Sequence, residues 1–207
     1  MSASLWDLSA AELRDRTASA SPTPGGGSIA SVAGTLGASL LVMAAEITQK
    51  SAADAAPLTA WLTEAREVLA VLSRHADRDV EAFEAYMAAA GLPKSTDAEK
   101  SARKAALGAA ALGAANAPLD AARDMVRALD LGVRIASLTK KAVASDVLAG
   151  SDLLGGAVIA ALRNVDVNLG AISDEGERKR LAEERDGLLD KAEASLNEIR
   201  RILAVSR

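Results

Sequence analysis

The chain has no cysteine and one histidine, His75. The first absence excludes disulfides, thiol nucleophiles and thiolate metal centres, and the second excludes a site built from several imidazoles. Missing thiols say little about compartment but fit a cytoplasm. Aromatic residues supply only 2% of a sequence that is 50% hydrophobic. The core of these 207 residues must therefore be Ala, Leu, Val and Ile, which favours closely packed helices over a β-sandwich. Net charge is −4 and no basic block occurs, so nucleic acid is not an expected partner. Met1-Ser-Ala-Ser-Leu-Trp-Asp7 lacks the basic start of a signal peptide. No segment sustains two-residue alternation, so no sheet is expected. No charge falls between Arg16 and Glu46, but the apolar part, about Ile29 to Ile47, is diluted by Ser, Thr and Gly and lacks aromatic anchors. It reads as a core helix, and no membrane association is expected.

What is present reads as consecutive helices. Leu5 to about Ser19 has a short amphipathic pattern. The run Ser21-Pro22-Thr23-Pro24-Gly25-Gly26-Gly27-Ser28 interrupts it, and a buried helix follows to about Lys50. Ala30, Gly34 and Ala38 recur there every fourth position, with Ala33 and Gly37 alongside, as in a helix packed very closely against others or across a subunit interface. Pro57 starts a long helix to about Ala90, ended by Gly91 and Pro93. Thr96-Asp97-Ala98-Glu99 has capping-box spacing, and Asn116-Ala117-Pro118 marks a kink or break. Further helical segments are expected from about Asp120 to Leu129 and from about Val133 to Ala149. Ser151 or Asp152 is expected to cap a helix to about Gly170, and Asp174 precedes a charged helix ending near Val205. The expected fold is all-α: a single-domain antiparallel helical bundle over residues 1–207, dimerising.

Polar residues on apolar stripes carry the functional signal. A glycine-rich loop opening a helix is either a plain turn or a place where free N–H groups meet a polar ligand. Asp79 shares a face with Ala76 and Phe83, whereas Asp77 points away toward solvent. An inward carboxylate is unfavourable unless it is paired, protonated or facing a pocket, and burial raises its pKa toward the range useful for proton transfer. Asp146 continues a stripe of Ile135, Leu138, Ala142 and Ala149. Asn164 and Asn168 border a stripe of Val158, Leu162 and Val165, where amides can either bridge helices or read the edge of a heterocycle. His75, one turn before Asp79, is either a relay partner or a partly exposed packing residue, with packing favoured. Lys94 stands at a helix exit, as a surface lysine or as a contact for a carboxylate ligand.

Taken together, these segments resemble the cyclodeaminase/cyclohydrolase family. The matching residues are Pro22-Thr-Pro-Gly-Gly-Gly-Ser28, Asp79-Val-Glu-Ala-Phe83, Gly91-Leu-Pro-Lys94 with Glu99-Lys100 and Arg103, Ser145-Asp146, and Asn164-Val-Asp-Val-Asn168. They stand in family order, and the likeness covers nearly the whole chain. The resemblance implies a helical homodimer that binds folate in a cleft near the subunit interface. It implies no metal and no cofactor beyond a tetrahydrofolate substrate. It marks Asp79 as the catalytic acid/base, and Pro24, Gly25, Gly26, Gly27, Ser28, Lys94, Asp146, Asn164 and Asn168 as substrate-binding. The implied activity is a methenyltetrahydrofolate cyclohydrolase reaction, opening the cationic 5,10-methenyl ring to 10-formyltetrahydrofolate. The alternatives are cyclodeamination of formiminotetrahydrofolate and a non-catalytic helical dimer that retains the fold. The sequence departs from the family at Thr48-Gln-Lys-Ser-Ala52, with no glycine, and at Thr139-Lys140, where Gly-Asn is common.

Overall fold

The computed structural model describes residues 4–50 and 56–205, and every regular element among them is helical. A 3-10 turn at Leu5–Asp7 precedes α1 (Ala10–Thr17), α2 (Gly26–Gln49), α3 (Ala56–Ala90) and α4 (Asp97–Leu138). A second 3-10 turn, Lys141–Val143, leads into α5 (Ala144–Leu169), and α6 (Glu175–Val205) closes the fold. The pairs joined across their lengths show the topology. Glu46 of α2 meets Arg66 of α3, His75 of α3 meets Asp124 of α4, and Asp152 and Asp166 of α5 meet Arg200 and Arg185 of α6. These contacts run antiparallel, while α4 and α6 run parallel through Arg123–Glu184 and Asp130–Ser195.

Local chemistry explains most of the boundaries, and the sequence pattern misplaces several of them. The expected Leu5–Ser19 helix is two pieces, because Ser9 forms a capping box with Glu12 and starts α1 afresh. Thr96 and Glu99 form the expected box at the start of α4. The break expected at Asn116-Ala-Pro118 is absent: α4 continues through Pro118 for 42 residues. Pro118 has no N–H for the carbonyl of Ala114, four residues earlier, and that oxygen accepts instead from Nδ2 of Asn168 at 2.8 Å. The helix expected from Val133 to Ala149 ends at Leu138, where Thr139 turns its hydroxyl back to the carbonyl of Ile135 at 2.7 Å. Ser151 and Asp152 consequently lie inside α5 and cap nothing.

The core is aliphatic, as the composition requires, with Leu58, Leu62, Leu72, Leu119, Leu129, Ile135, Leu154 and Ile199 fully buried. Small residues set the helix spacing at its centre. A Cβ on Gly37 would stand 2.7 Å from the carbonyl oxygen of Gly150, and one on Gly150 would stand 2.7 Å from that of Gly37. The backbones of α2 and α5 therefore touch. Gly34 faces Met125 of α4. The close packing read from this stripe is thus met within the chain at Gly34 and Gly37. Two stretches, Gly26–Gln49 and Lys141–Leu169, are long and apolar enough to cross a membrane by length and composition. Both supply core residues between the other helices.

Candidate active site

The site forms where α2 begins. Gly25 is its N-cap and provides no side-chain hydrogen bond, so the amides of the first turn lack intrahelical partners. Asp79 of α3 lies directly against this turn. A Cβ on Gly27 would overlap the Oδ1 atom of Asp79, so only glycine leaves room for the carboxylate. Ser28, fully buried, donates from Oγ to Asp79 Oδ2 at 2.6 Å. Burial pushes the Asp79 pKa above the ordinary carboxylate range, and the hydroxyl and backbone amide of Ser28 oppose that rise by stabilising the charged form.

Helix α5 supplies the facing wall. Asn164 approaches Gly26, whose missing Cβ would stand 3.4 Å from Asn164 Nδ2. Asn164 Nδ2 donates to the carbonyl of Ala160 at 2.9 Å, and Asn168 Nδ2 donates to those of Ala114 and Asn164 at 2.8 and 2.9 Å. Asn168 commits both its N–H groups to backbone oxygens and Asn164 one of its two, so both side chains keep Oδ1, and Asn164 one N–H, for a ligand. Pro118 takes part at a distance, since the carbonyl it frees anchors Asn168. The enclosed cavity measures about 440 Å³ and is also lined by Phe83 and Tyr86. These are the only phenylalanine and the only tyrosine in the chain. A carboxylate, two amide oxygens and two aromatic faces suit a flat heterocycle that carries N–H donors or positive charge.

A second cavity of about 560 Å³ adjoins the first, with Tyr86 and Ala171 lining both. Lys94, Lys100, Arg103 and Lys104 border it, and no carboxylate does. Lys100 pairs with Asp97 at 2.9 Å, and Arg103 donates to the carbonyl of Ala90 at 3.0 Å. Side by side, the two cavities give the cleft an acceptor-rich end and a cationic end.

Gly25, Gly26, Gly27, Asp79, Asn164 and Asn168 converge on the first cavity, and Lys94 lies on the second. Three residues expected to bind substrate do not line either one. Pro24 is buried in the approach to α2, Ser28 is hidden behind Asp79, and Asp146 is remote. Asp146 sits in the first turn of α5, and at the helical rise it is roughly 27 Å from Asn164. Its expected stripe with Ile135 and Leu138 fails because α4 ends at Leu138. His75 is fully buried and pairs through Nε2 with Asp124 Oδ2 at 2.8 Å, a packing role but not an exposed one. Asp77 also departs from expectation: it accepts from Ser4 Oγ at 2.6 Å and from the Leu5 amide at 2.8 Å, tying down the N-terminal segment. Sequence reading missed Phe83 and Tyr86 as cavity walls. Their rarity in this chain and their three-residue spacing on α3 were the available signal.

The family model of formiminotransferase-cyclodeaminase matches residues 9–187. A methenyltetrahydrofolate cyclohydrolase of Methylorubrum extorquens is 37% identical over 188 residues, 89% of this chain and 89% of that protein. The formimidoyltransferase-cyclodeaminase of Sus scrofa is 30% identical over 178 residues, which are 84% of this chain and 33% of that longer protein. The crystal structure of formiminotetrahydrofolate cyclodeaminase from Thermotoga maritima matches with a TM-score of 0.86 at 30% identity, over 97% of this chain and 98% of that one. The resemblance read from the ordered sequence segments therefore holds, and the chain belongs to the formiminotransferase-cyclodeaminase family.

Proposed function

We propose that this chain is a methenyltetrahydrofolate cyclohydrolase working as one domain, with Asp79 as its general acid and base. The observation that carries the reading is a buried carboxylate with a raised pKa at the wall of a cavity rich in acceptors and aromatic faces. The 37% identity to a cyclohydrolase supports the same reading. The substrate's reacting carbon lies between N5 and N10 in a cationic amidinium. Asp79 stabilises that charge and takes a proton as water adds to the carbon. The carbon–N5 bond then breaks, Asp79 returns its proton to N5, and the hydroxyl proton leaves to solvent as the formyl C=O forms. The products are 10-formyltetrahydrofolate and one proton. Asn164 and Asn168 orient the ring system by accepting from its N–H groups, and the free amides of Gly26 and Gly27 offer donors. The cationic cavity at Lys94 receives the carboxylates of the substrate's tail. The reaction needs neither a metal nor a further cofactor.

The reading includes a cytoplasmic homodimer that does not insert in a membrane. Leu36, Met43 and Ile47 form an exposed apolar stripe on α2, with Leu153 and Val167 on the neighbouring α5. Val167 is 79% exposed and also lines the Asp79 cavity, which supports a cleft that opens toward this apolar face. A second copy covering the stripe brings the cleft next to the interface. Purified protein should accelerate the loss of methenyltetrahydrofolate absorbance over a buffer blank. Cyclodeaminase activity is the second reading, favoured by the structural match to a cyclodeaminase. It would appear instead as methenyl absorbance growing from formiminotetrahydrofolate with release of ammonia. Activity in neither assay would leave a binding or scaffold dimer.

A further inference from the structure

The buried face of Asp79 carries an inference about what positions its carboxylate. Ser28 is fully buried, so its hydroxyl has no water to compete with the carboxylate. It donates to Oδ2 at 2.6 Å, and the backbone amide of Ser28 bonds the same carboxylate. Oδ1 lies over the Cα of Gly27, in space that any other residue's Cβ would fill. We infer that Ser28 and Gly27 are positioning residues: Gly27 leaves the space that the Asp79 carboxylate occupies, and Ser28 holds that carboxylate in its proton-accepting form. This rests on the acid/base reading of Asp79 given above.

The surroundings leave Ser28 as the principal group tuning this carboxylate. On α3 itself, Tyr86 lines the same cavity, His75 is committed to Asp124, Asp77 to Ser4 and Leu5, and Arg78 to Asp120. Helix α2 brings no ionisable group before Glu46, and α5 presents the amides of Asn164 and Asn168. On α4, Asp120 and Asp124 are paired with Arg78 and Arg123, and with His75. Burial favours the protonated acid, and the Ser28 hydrogen bonds favour the anion. Without the hydroxyl, burial acts with less opposition and the carboxylate holds its proton to higher pH. A base must be ionised when water attacks, so the hydroxyl keeps Asp79 available as a base near neutrality.

The test compares Ser28→Ala and the isosteric Ser28→Cys with the parent. The carboxyl resonances of Asp, labelled with ¹³C, are followed through a pH titration. The Asp79→Asn spectrum assigns the Asp79 signal. Ser28→Ala should raise the Asp79 midpoint by about one to two pH units, the size expected for losing a hydrogen bond to a charged group. Ser28→Cys should shift it in the same direction by less, because a thiol is a weaker donor. The acidic limb of the kcat profile should move upward in step. KM should stay within about twofold, since Ser28 does not touch the cavity. Identical Asp79 titrations in parent and both variants would overturn the inference. A shifted titration with an unshifted kcat profile would support the positioning by Ser28 and tell against Asp79 as the catalytic base, so the two readings fail separately.

Discussion

Glycines do different work at two places along α2, in the middle of its seam with α5 and at the open end that α3 also reaches. In the middle of the seam, Gly37 and Gly150 bring two backbones into contact, and the atoms they admit are main-chain carbonyls. At its open end, Gly26 and Gly27 admit functional groups, the amide of Asn164 and the carboxylate of Asp79. The same absence of a Cβ therefore serves packing in one place and chemistry in the other. In the middle, an added side chain has nowhere to go without separating two helices that carry the aliphatic core. At the end, the space borders a cavity and solvent, so the scaffold can yield while the site cannot.

Substitutions at the two ends should separate these roles. The largest effect on activity is expected from Gly27→Val. Displacing the Asp79 carboxylate should lower turnover of methenyltetrahydrofolate by about 10²-fold or more, while the melting temperature falls little. Gly37→Leu should do the reverse. Overpacking against Gly150 and Leu154 should destabilise by roughly 1–3 kcal/mol or more, read as a lower melting temperature, with activity per folded molecule retained. A variant at Gly37 that melts like the parent would break the comparison. Smaller and purely local effects should follow at the cationic end of the cleft. Lys94→Ala with Lys104→Ala should raise KM by about tenfold with kcat nearly unchanged, as for loss of binding shared by ground and transition states. The smallest effect is expected from Pro118→Ala. Its new N–H competes with Asn168 for the Ala114 carbonyl, so KM should rise about two- to threefold as Asn168 loosens, a change steady-state kinetics can resolve.

Much of this was legible in the sequence because local rules and burial agree there. The aliphatic composition and the spacing of apolar residues give an all-helical core, and the Thr96–Glu99 box marks the start of α4. The glycine loop, Asp79, Asn164 and Asn168 could be brought together because each is a polar or glycine residue on an otherwise apolar path. Long-range hydrogen bonds account for two of the failures. Pro118 reads as a break because its missing N–H is visible, whereas the Asn168 amide that satisfies the freed carbonyl lies 54 positions away. Asp77 reads as solvated on helical periodicity, but Ser4 and Leu5 reach it from the N-terminal segment, 73 and 72 positions away. Asp146 was misplaced because apolar spacing continues past Leu138, although the backbone turns at Thr139. Phe83 reads only as an apolar position beside Asp79 because periodicity distinguishes inward from outward positions but not packed interior from cavity wall.

Asp79→Asn tests the central claim most directly, by turnover of methenyltetrahydrofolate and thermal melting on the same preparation. Burial raises the Asp79 pKa, so the folded protein binds this proton more tightly than the unfolded chain. The associated stability is present below the unfolded carboxylate range and is lost as pH rises through the folded value. At neutral pH the asparagine variant, neutral and still able to accept from Ser28, should therefore melt no lower than the parent. Its turnover should fall by about 10²-fold or more, the usual worth of a general acid–base group. Full turnover in the folded variant would contradict the account.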